Sequence, residues 1–266
     1  AIPYIGYLLN PQGSAVSRYE DGSIDVLPVY GEAALRVRRD EDPLHAELYS
    51  VPSLCTNFIA LNNTLPPFDD PKVREAFLLA FDRDVYMQRV DRGLDLPAYS
   101  LLPPAMPGFL AENAVPGYDP AAAKAALAAS RYAGDMPEVI LETGGFGGAD
   151  DRVISALAEM WRQTLGIDIQ VVFLDPINFT EAAREYPAHL SSAGWCADYP
   201  DPQNFFDPLF RTGAEFNDAG YTNPELDTLL AQANVEADRS RRLELYQQAE
   251  KLLLGDFALI PLAHNI

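Results

Sequence analysis

The stretch Ala193-Gly194-Trp195-Cys196-Ala197-Asp198-Tyr199-Pro200-Asp201-Pro202-Gln203-Asn204-Phe205-Phe206 concentrates the chemically capable side chains of the sequence. It sets a tryptophan beside a cysteine and two aspartates, with prolines close behind. An aromatic face next to a carboxylate suits a ligand with an apolar body and a cationic group. A core tryptophan and a helix-capping aspartate account for the same residues without any ligand. Asp198, Asp201 and Asp207 could instead pair for glycoside hydrolysis or hold a hard cation. Asp201 and Asp207 each precede a proline, however, and both read better as caps. Cys196 with His189 suggests a thiol nucleophile, but nothing in the spacing fixes that geometry. Ser191 and Ser192 lack a nucleophile-elbow pattern. Gly144-Gly145-Phe146-Gly147-Gly148 is neither G-x-G-x-x-G nor a P-loop, and Asp150 and Asp151 would repel a phosphate there. It reads as a strand-to-helix turn, and no convincing catalytic set emerges.

Composition narrows the classes further. The 266 residues, 48% apolar, suffice for one large domain or two smaller ones. Lys and Arg total 19 against 39 Asp and Glu, a net charge of −20. That balance argues against nucleic-acid phosphates and anionic membrane surfaces as partners. No apolar run is long enough for a transmembrane helix. The abrupt opening Ala1-Ile2-Pro3-Tyr4 is that of a mature or excised segment, with no targeting signal to read. Two cysteines, Cys55 and Cys196, are too few for a zinc site unless histidines join, and His45, His189 and His264 show no ligand spacing to them. Composition leaves a disulfide and two buried thiols equally open.

Around the central stretch, hydrophobic periodicity and turn residues set out a framework. Ile5 to Leu9, Ile24 to Pro28 and Leu44 to Leu48 are expected as strands, and Ser14 to Tyr19 and Glu32 to Arg39 as short helices. Leu54 to Leu61 is a strand. The Pro-rich Asn62 to Asp70 loop is the best boundary that the residues themselves offer. Asp70 then caps a helix over Pro71 to Phe81, with Pro at its first position. A second helix covers Asp84 to Asp91 and stops at Gly93. Pro97 to Pro116 is an ordered loop, and Asp119-Pro120 starts a helix to Ser130. Val139 to Glu142, a helix over Asp150 to Leu165 and a strand over Ile167 to Leu174 form a βαβ unit with parallel strands and a right-handed crossover. Its helix is expected to bury Val153, Leu157, Met160, Trp161 and Leu165. Asn178 to Tyr186 is a helix and His189 to Ala193 a strand. Helices over Asn223 to Glu236 and Ser240 to Leu254 precede a last strand, Ala258 to Ala263.

Several separated motifs carry a resemblance. Tyr19 to Val26 looks like a "Y-x-x-G-x-I-D" segment. Asn62-Asn63-Thr64-Leu65-Pro66-Pro67-Phe68-Asp69-Asp70-Pro71-Lys72-Val73-Arg74-Glu75-Ala76, followed by Asp82-Arg83, is similar to "N-x-x-x-P-P-F-x-D-x-x-V-R-x-A". Leu165-Gly166-Ile167-Asp168 with Leu174-Asp175, Gly194 to Tyr199 with Asp201-Pro202 and Phe205, Tyr221 to Asp227 and Leu245 to Glu250 match further segments in the same order. Together they resemble the extracytoplasmic solute-binding proteins of peptide ABC importers, the oligopeptide- and dipeptide-binding family.

The resemblance implies an α/β, periplasmic-binding-protein-like (type II, flytrap) lobe with a mixed sheet and flanking helices, including the βαβ at 138–174. Members run to about twice this length. Residues 1–56 would correspond to the first-lobe and hinge side, and residues 57–266 to the second ligand-binding lobe. The implied function is non-enzymatic: capture of a peptide outside the cytoplasmic membrane and delivery to an ABC permease. Asp198 would pair with the peptide α-ammonium group, Trp195 would form an apolar wall, and Tyr199, Cys196 and Asn57 would complete the contacts. Strand backbone would pair with the peptide main chain. The resemblance also implies a Cys55–Cys196 disulfide, hence an oxidising compartment. It implies no cofactor, no metal, no nucleic acid, a monomer, and a periplasmic or cell-surface location, with lipid anchoring of the full-length protein as a variant. Two positions depart from the pattern. Ser192 stands where some members carry a basic residue, and Ala60 where some carry an acidic one. Relatives that take oligosaccharide, nickel chelates or haem are the alternatives within the class, and a secreted carboxylate-dependent hydrolase is the alternative outside it.

Overall fold

The computed structural model describes residues 4–8, 14–112, 114–144, 151–174 and 188–266. The chain divides into two compact units, Ala1–Ser50 and Val51–Ile266. The expected helix over 178–186 and the Gly-rich turn over 145–149 lie outside the described residues.

In the first unit, Ser14 caps α1 (Ala15–Glu20) through its side chain, and α2 spans Gly31–Val37. Arg36 of α2 ties the unit together by pairing with Glu20 at 2.5 Å and Asp42 at 2.8 Å. Three expected strands are absent among the described residues. Residues 5–8 and Ile24 to Pro28 carry no ladder, and Ile5, Tyr7 and Val26 are exposed, so nothing supplies the cross-strand pairing that a strand needs. Over Leu44 to Leu48, Asp42 captures the Leu44 amide and a 3₁₀ turn forms at His45–Glu47. Local side-chain-to-backbone bonding there overrides the apolar pattern.

The second unit is built on a mixed six-stranded sheet. β1 (Cys55–Leu61), β2 (Leu96–Pro97), β3 (Val139–Gly144), β4 (Ile169–Leu174), β5 (Leu190–Cys196) and β6 (Leu259–His264) lie in the order β2-β6-β1-β5-β3-β4. The expected βαβ is present: β3 and β4 pair in parallel in the register Val139↔Ile169 to Gly144↔Leu174, joined through α6 (Asp151–Leu165). α6 buries Ile154, Leu157 and Trp161 fully, and Val153, Met160 and Leu165 flank that stripe. Trp161 lies 5.2 Å from the Phe77 ring and donates its indole N–H to the Phe77 carbonyl, which joins α6 to α3 (Pro71–Leu79).

α3 begins as its sequence dictates, with Asp70 accepting from Lys72 N and Pro71 at the first position. The Pro-rich run before it lies inside the second unit. It is held there by the buried Arg74, which donates to the carbonyls of Phe68 and Asp256. The next helical segment starts at Arg83 rather than Asp84, with Asp82 as its cap. It passes from α4 (Arg83–Val85) into π-helix over Tyr86–Asp91 and stops at left-handed Arg92 and Gly93. α5 spans Pro120–Ala128 with Asp119 as cap. α7 (Gln203–Leu209), α8 (Pro224–Val235) and α9 (Arg239–Gly255) precede β6.

The described residues of the 97–116 segment are held by buried side chains. Arg83 donates to the Ala98 and Pro261 carbonyls between the Phe81 and Tyr99 rings. The fully buried Glu250 of α9 accepts from Leu101 N and Leu102 N with one oxygen, and its other oxygen is unpartnered among the described residues. Desolvation pushes the Glu250 carboxyl up to about 7 from an unfolded value near 4.5. Because the folded value is the higher one, the folded state retains a proton that the unfolded state releases. The resulting stabilisation is fully present below pH 4.5 and is lost as pH rises through 7, a span worth about 3 kcal/mol. Burial of His264, lowered to about 4, acts oppositely: its contribution is present above about 6.5 and lost as pH falls toward 4. Glu250→Gln removes only the first effect. Across pH 5 to 8 the two effects oppose each other, so the stability change that urea denaturation reads over that interval is expected to be more negative in the parent than in the variant by about 2–3 kcal/mol.

Candidate functional site

The central stretch begins inside β5, and β1 sets its register. β1 pairs with β5 antiparallel along its full length, with Cys55↔Cys196, Thr56↔Trp195 and Asn57↔Gly194 as successive rungs. Cys55 and Cys196 are joined at the first rung, S–S 2.07 Å. At the third rung, a Cβ on Gly194 would lie 2.7 Å from Asn57 Oδ1, so the Asn57 amide as placed packs directly over the bare Cα of Gly194. On its other side β5 meets β3 over two rungs, Leu141↔Leu190 and Glu142↔Ser191. From Ala193 to Cys196 the β3-side edge of β5 carries no strand among the described residues. An edge of this kind offers main-chain donors and acceptors to an added strand.

Asn204 organises the loop at the end of that edge. It is buried in the first turn of α7, and its Oδ1 accepts from Trp195 Nε1 at 3.2 Å and Asp198 N at 3.0 Å. Its Nδ2 donates to Asp198 Oδ2 at 3.4 Å. One amide thus holds the indole and the carboxylate together. The Trp195 ring is half-buried and lies 5.5 Å from Phe216, while Asp198 stays exposed. Tyr199, also exposed, donates to Gln203 Oε1 at 3.3 Å. Sequence reasoning misses Asn204, although an Asn in the first turn of a helix just after the Trp-Asp pair is a signal that could find it.

The structure gathers Trp195, Asp198 and Tyr199 around the start of α7 and sets Asn57 apart. Asn57 follows Thr56 in β1 and so projects to the sheet face opposite Trp195, where its amide donates to Asn265 Oδ1 at 3.3 Å. The other aspartates are separately engaged. Asp201 accepts from Gln203 N, as a cap does, and forms a two-point pair with Arg242 at 2.5 and 2.9 Å. Asp207 is not a cap. It lies inside α7 ahead of Pro208 and accepts from Gln203 and Asn234. Among the described residues no group of three metal-ligating side chains forms.

Comparison with known proteins bears on this arrangement. Residues 4–217 match the model of the bacterial extracellular solute-binding proteins, family 5 Middle. The chain is 28% identical over 261 residues to the Escherichia coli periplasmic oligopeptide-binding protein OppA, covering 94% of this chain and 47% of that protein. It is 33% identical over 221 residues to the probable di/tripeptide-binding protein 5 of Pseudomonas aeruginosa, covering 80% and 41%. The dipeptide-binding protein of Pseudoalteromonas sp. SM9913, solved in complex with Met-Leu, superposes with a TM-score of 0.78 at 26% identity, covering 94% of this chain and 50% of that one. The chain therefore spans about half the length of these relatives, and its α/β fold is that of a periplasmic-binding-protein lobe.

Two outcomes test this site. The disulfide closes a separation of 141 residues. Its reduction is expected to lower stability by about 4–5 kcal/mol on the chain-entropy account, read as a fall in Tm between oxidised and reduced samples. Asn204→Ala leaves the Trp195 indole N–H and the Asp198 amide without their acceptor. Chemical denaturation is expected to show a loss of about 1–3 kcal/mol, and a loss below about 0.3 kcal/mol, the additivity error of such measurements, would remove Asn204 from its organising role.

Proposed function

Because the chain belongs to the family 5 bacterial extracellular solute-binding proteins, we propose that it captures peptides outside the cytoplasmic membrane and presents them to an ABC permease. The observation that carries this reading is the edge of β5 that carries no strand among the described residues, which runs directly to a carboxylate held by Asn204. An extended peptide adds to the edge through its main chain, largely independent of its side chains. Its α-ammonium group meets Asp198, where a charge-assisted hydrogen bond fixes polarity and register. Trp195, braced by Phe216, is the apolar wall, Tyr199 lines the same end, and Cys196 contributes backbone at the last rung of the edge. Asn57 acts at one remove, by accommodating Gly194 in the pairing.

In this reading residues 57–266 are a ligand-binding lobe and residues 1–56 belong to the first-lobe and hinge side. The protein acts as a monomeric binding component without catalytic activity, cofactor or metal. It works in the periplasm or at the extracytoplasmic surface, free or lipid-anchored. The peptide-binding names of the relatives support the ligand class, and the disulfide suits an oxidising compartment.

Calorimetric titration of the intact protein with short alanine peptides tests this reading. Asp198→Asn is expected to weaken binding about ten- to a hundredfold, the range for a hydrogen bond to a charged group. N-acetylation of the peptide is expected to cost the parent a similar factor and to have little further effect in the variant. Equal affinity for free and acetylated peptides in the parent would remove Asp198 from the amino-terminal contact. Binding of a sugar or metal chelate in place of any peptide would overturn the ligand class.

A further inference from the structure

Two carboxylates on the sheet face that carries Trp195 have no counter-charge among the described residues. Glu142 in β3 is nine-tenths buried. Its Oε1 accepts from Ser191 Oγ at 2.6 Å, and its Oε2 is fully buried with no hydrogen-bond partner among the described residues. An ionised carboxylate in that position is costly unless a cation meets it. A second charge of the same sign acts on it: Asp218 acts electrostatically on Glu142, whose carboxyl is raised chiefly by its own burial. Asp218 makes no ion pair among the described residues.

The location connects this pair to the open edge. Glu142 is the rung partner of Ser191, and Ser191, Ala193 and Trp195 alternate onto one face of β5. Ala60 of β1 faces Ser191 from the other side. The floor between Trp195 and Glu142 is therefore made of small side chains, all only partly buried. The 216–219 segment links the two ends of this region, with Phe216 against the Trp195 ring and the Ala219 carbonyl accepting from Asn63 N just beyond β1. That path carries Asp218, which lies at the surface, from the aromatic end toward Glu142. A buried, unsatisfied carboxylate and an exposed one thus act on each other at the β3 end of the free edge.

We propose that Glu142 and Asp218 form a subsite for a cationic side chain, ammonium or guanidinium, of a peptide bound along β5. The inference rests on the peptide reading above and adds a ligand preference to it. The free part of the edge, Ala193 to Cys196, spans about 10 Å at ~3.4 Å per residue and ends where β3 begins to pair, so a peptide anchored at Asp198 brings a residue beyond its first to the pair. A lysine or arginine there neutralises both carboxylates and reaches between them on an apolar stem. A neutral side chain leaves the pair as it is, and an acidic one is repelled. Two carboxylates and one hydroxyl are too few oxygens for a calcium site, and no third metal-ligating side chain joins them among the described residues.

The test is calorimetric titration of the intact protein with hexaalanine peptides that carry lysine or norleucine at each position in turn. Lysine is expected to bind about tenfold or more tightly than norleucine at one position beyond the first. That ratio is expected to fall to near one in Glu142→Gln and in Asp218→Asn, and the surface site keeps the test open if the buried variant does not fold. Equal binding of lysine and norleucine at every position, or a ratio that survives both substitutions, overturns the subsite and leaves the peptide reading standing. Failure of every peptide in the series to bind overturns both.

Discussion

The antiparallel pairing of β1 with β5 fixes the geometry of the site. Side chains alternate along a strand, so a one-residue slip would move Trp195 to the opposite face and exchange it for Gly194 or Cys196. The disulfide at the Cys55↔Cys196 rung and the close approach of Asn57 to Gly194 both oppose that slip. One is a covalent pin and the other a close packing of the Asn57 amide on the bare Cα of Gly194. Thr56, at the rung of Trp195, is also paired with His264 of β6 and bonded to its ring at 2.9 Å. The strand that presents the aromatic wall is therefore referenced through β1 to the far side of the sheet.

Around this ladder, irregular segments are held by buried charged side chains bonded to main-chain atoms. Arg74 fastens the Pro-rich run to the end of α9, Arg83 fastens the 97–116 segment to β6, and Glu250 accepts two of its amides. Such groups are costly to bury and are retained where their hydrogen bonds replace absent secondary structure. The most recognisable motif in the chain, the Pro-Pro-Phe run with its Val-Arg, is thus a structural clamp. The residues proposed to meet a ligand lie elsewhere, in a stretch whose chemistry is far less distinctive.

Legibility in the sequence tracks the physics of each element. Helices α3, α5 and α8 are readable because Asp70, Asp119 and Asn223 announce their starts, and the parallel pair β3–β4 because a strongly amphipathic helix separates two apolar runs. Trp195 and Asp198 are visible as a local pair. The strands expected before residue 50 do not form because short apolar runs acquire strand geometry only from partners, which a linear pattern does not reveal. The proline after Asp207 suggests a cap, whereas the helix continues through Pro208. Asn204 and Glu142 escape a linear reading for one reason: their roles arise from residues brought close by folding, an indole from a neighbouring strand in one case and a carboxylate from the 216–219 segment in the other.

The two tryptophans of the chain differ in a way that outlasts any particular ligand. Trp161 is completely enclosed between α6 and α3, whereas Trp195 sits half-exposed against Phe216 with its indole N–H on a side-chain amide. Their emission should separate accordingly. A water-borne quencher reaches the second ring and not the first, so the shielded indole serves as an internal reference for the accessible one. Anything that settles over the outer ring, whatever its chemistry, changes the ratio between two light sources already built into the chain.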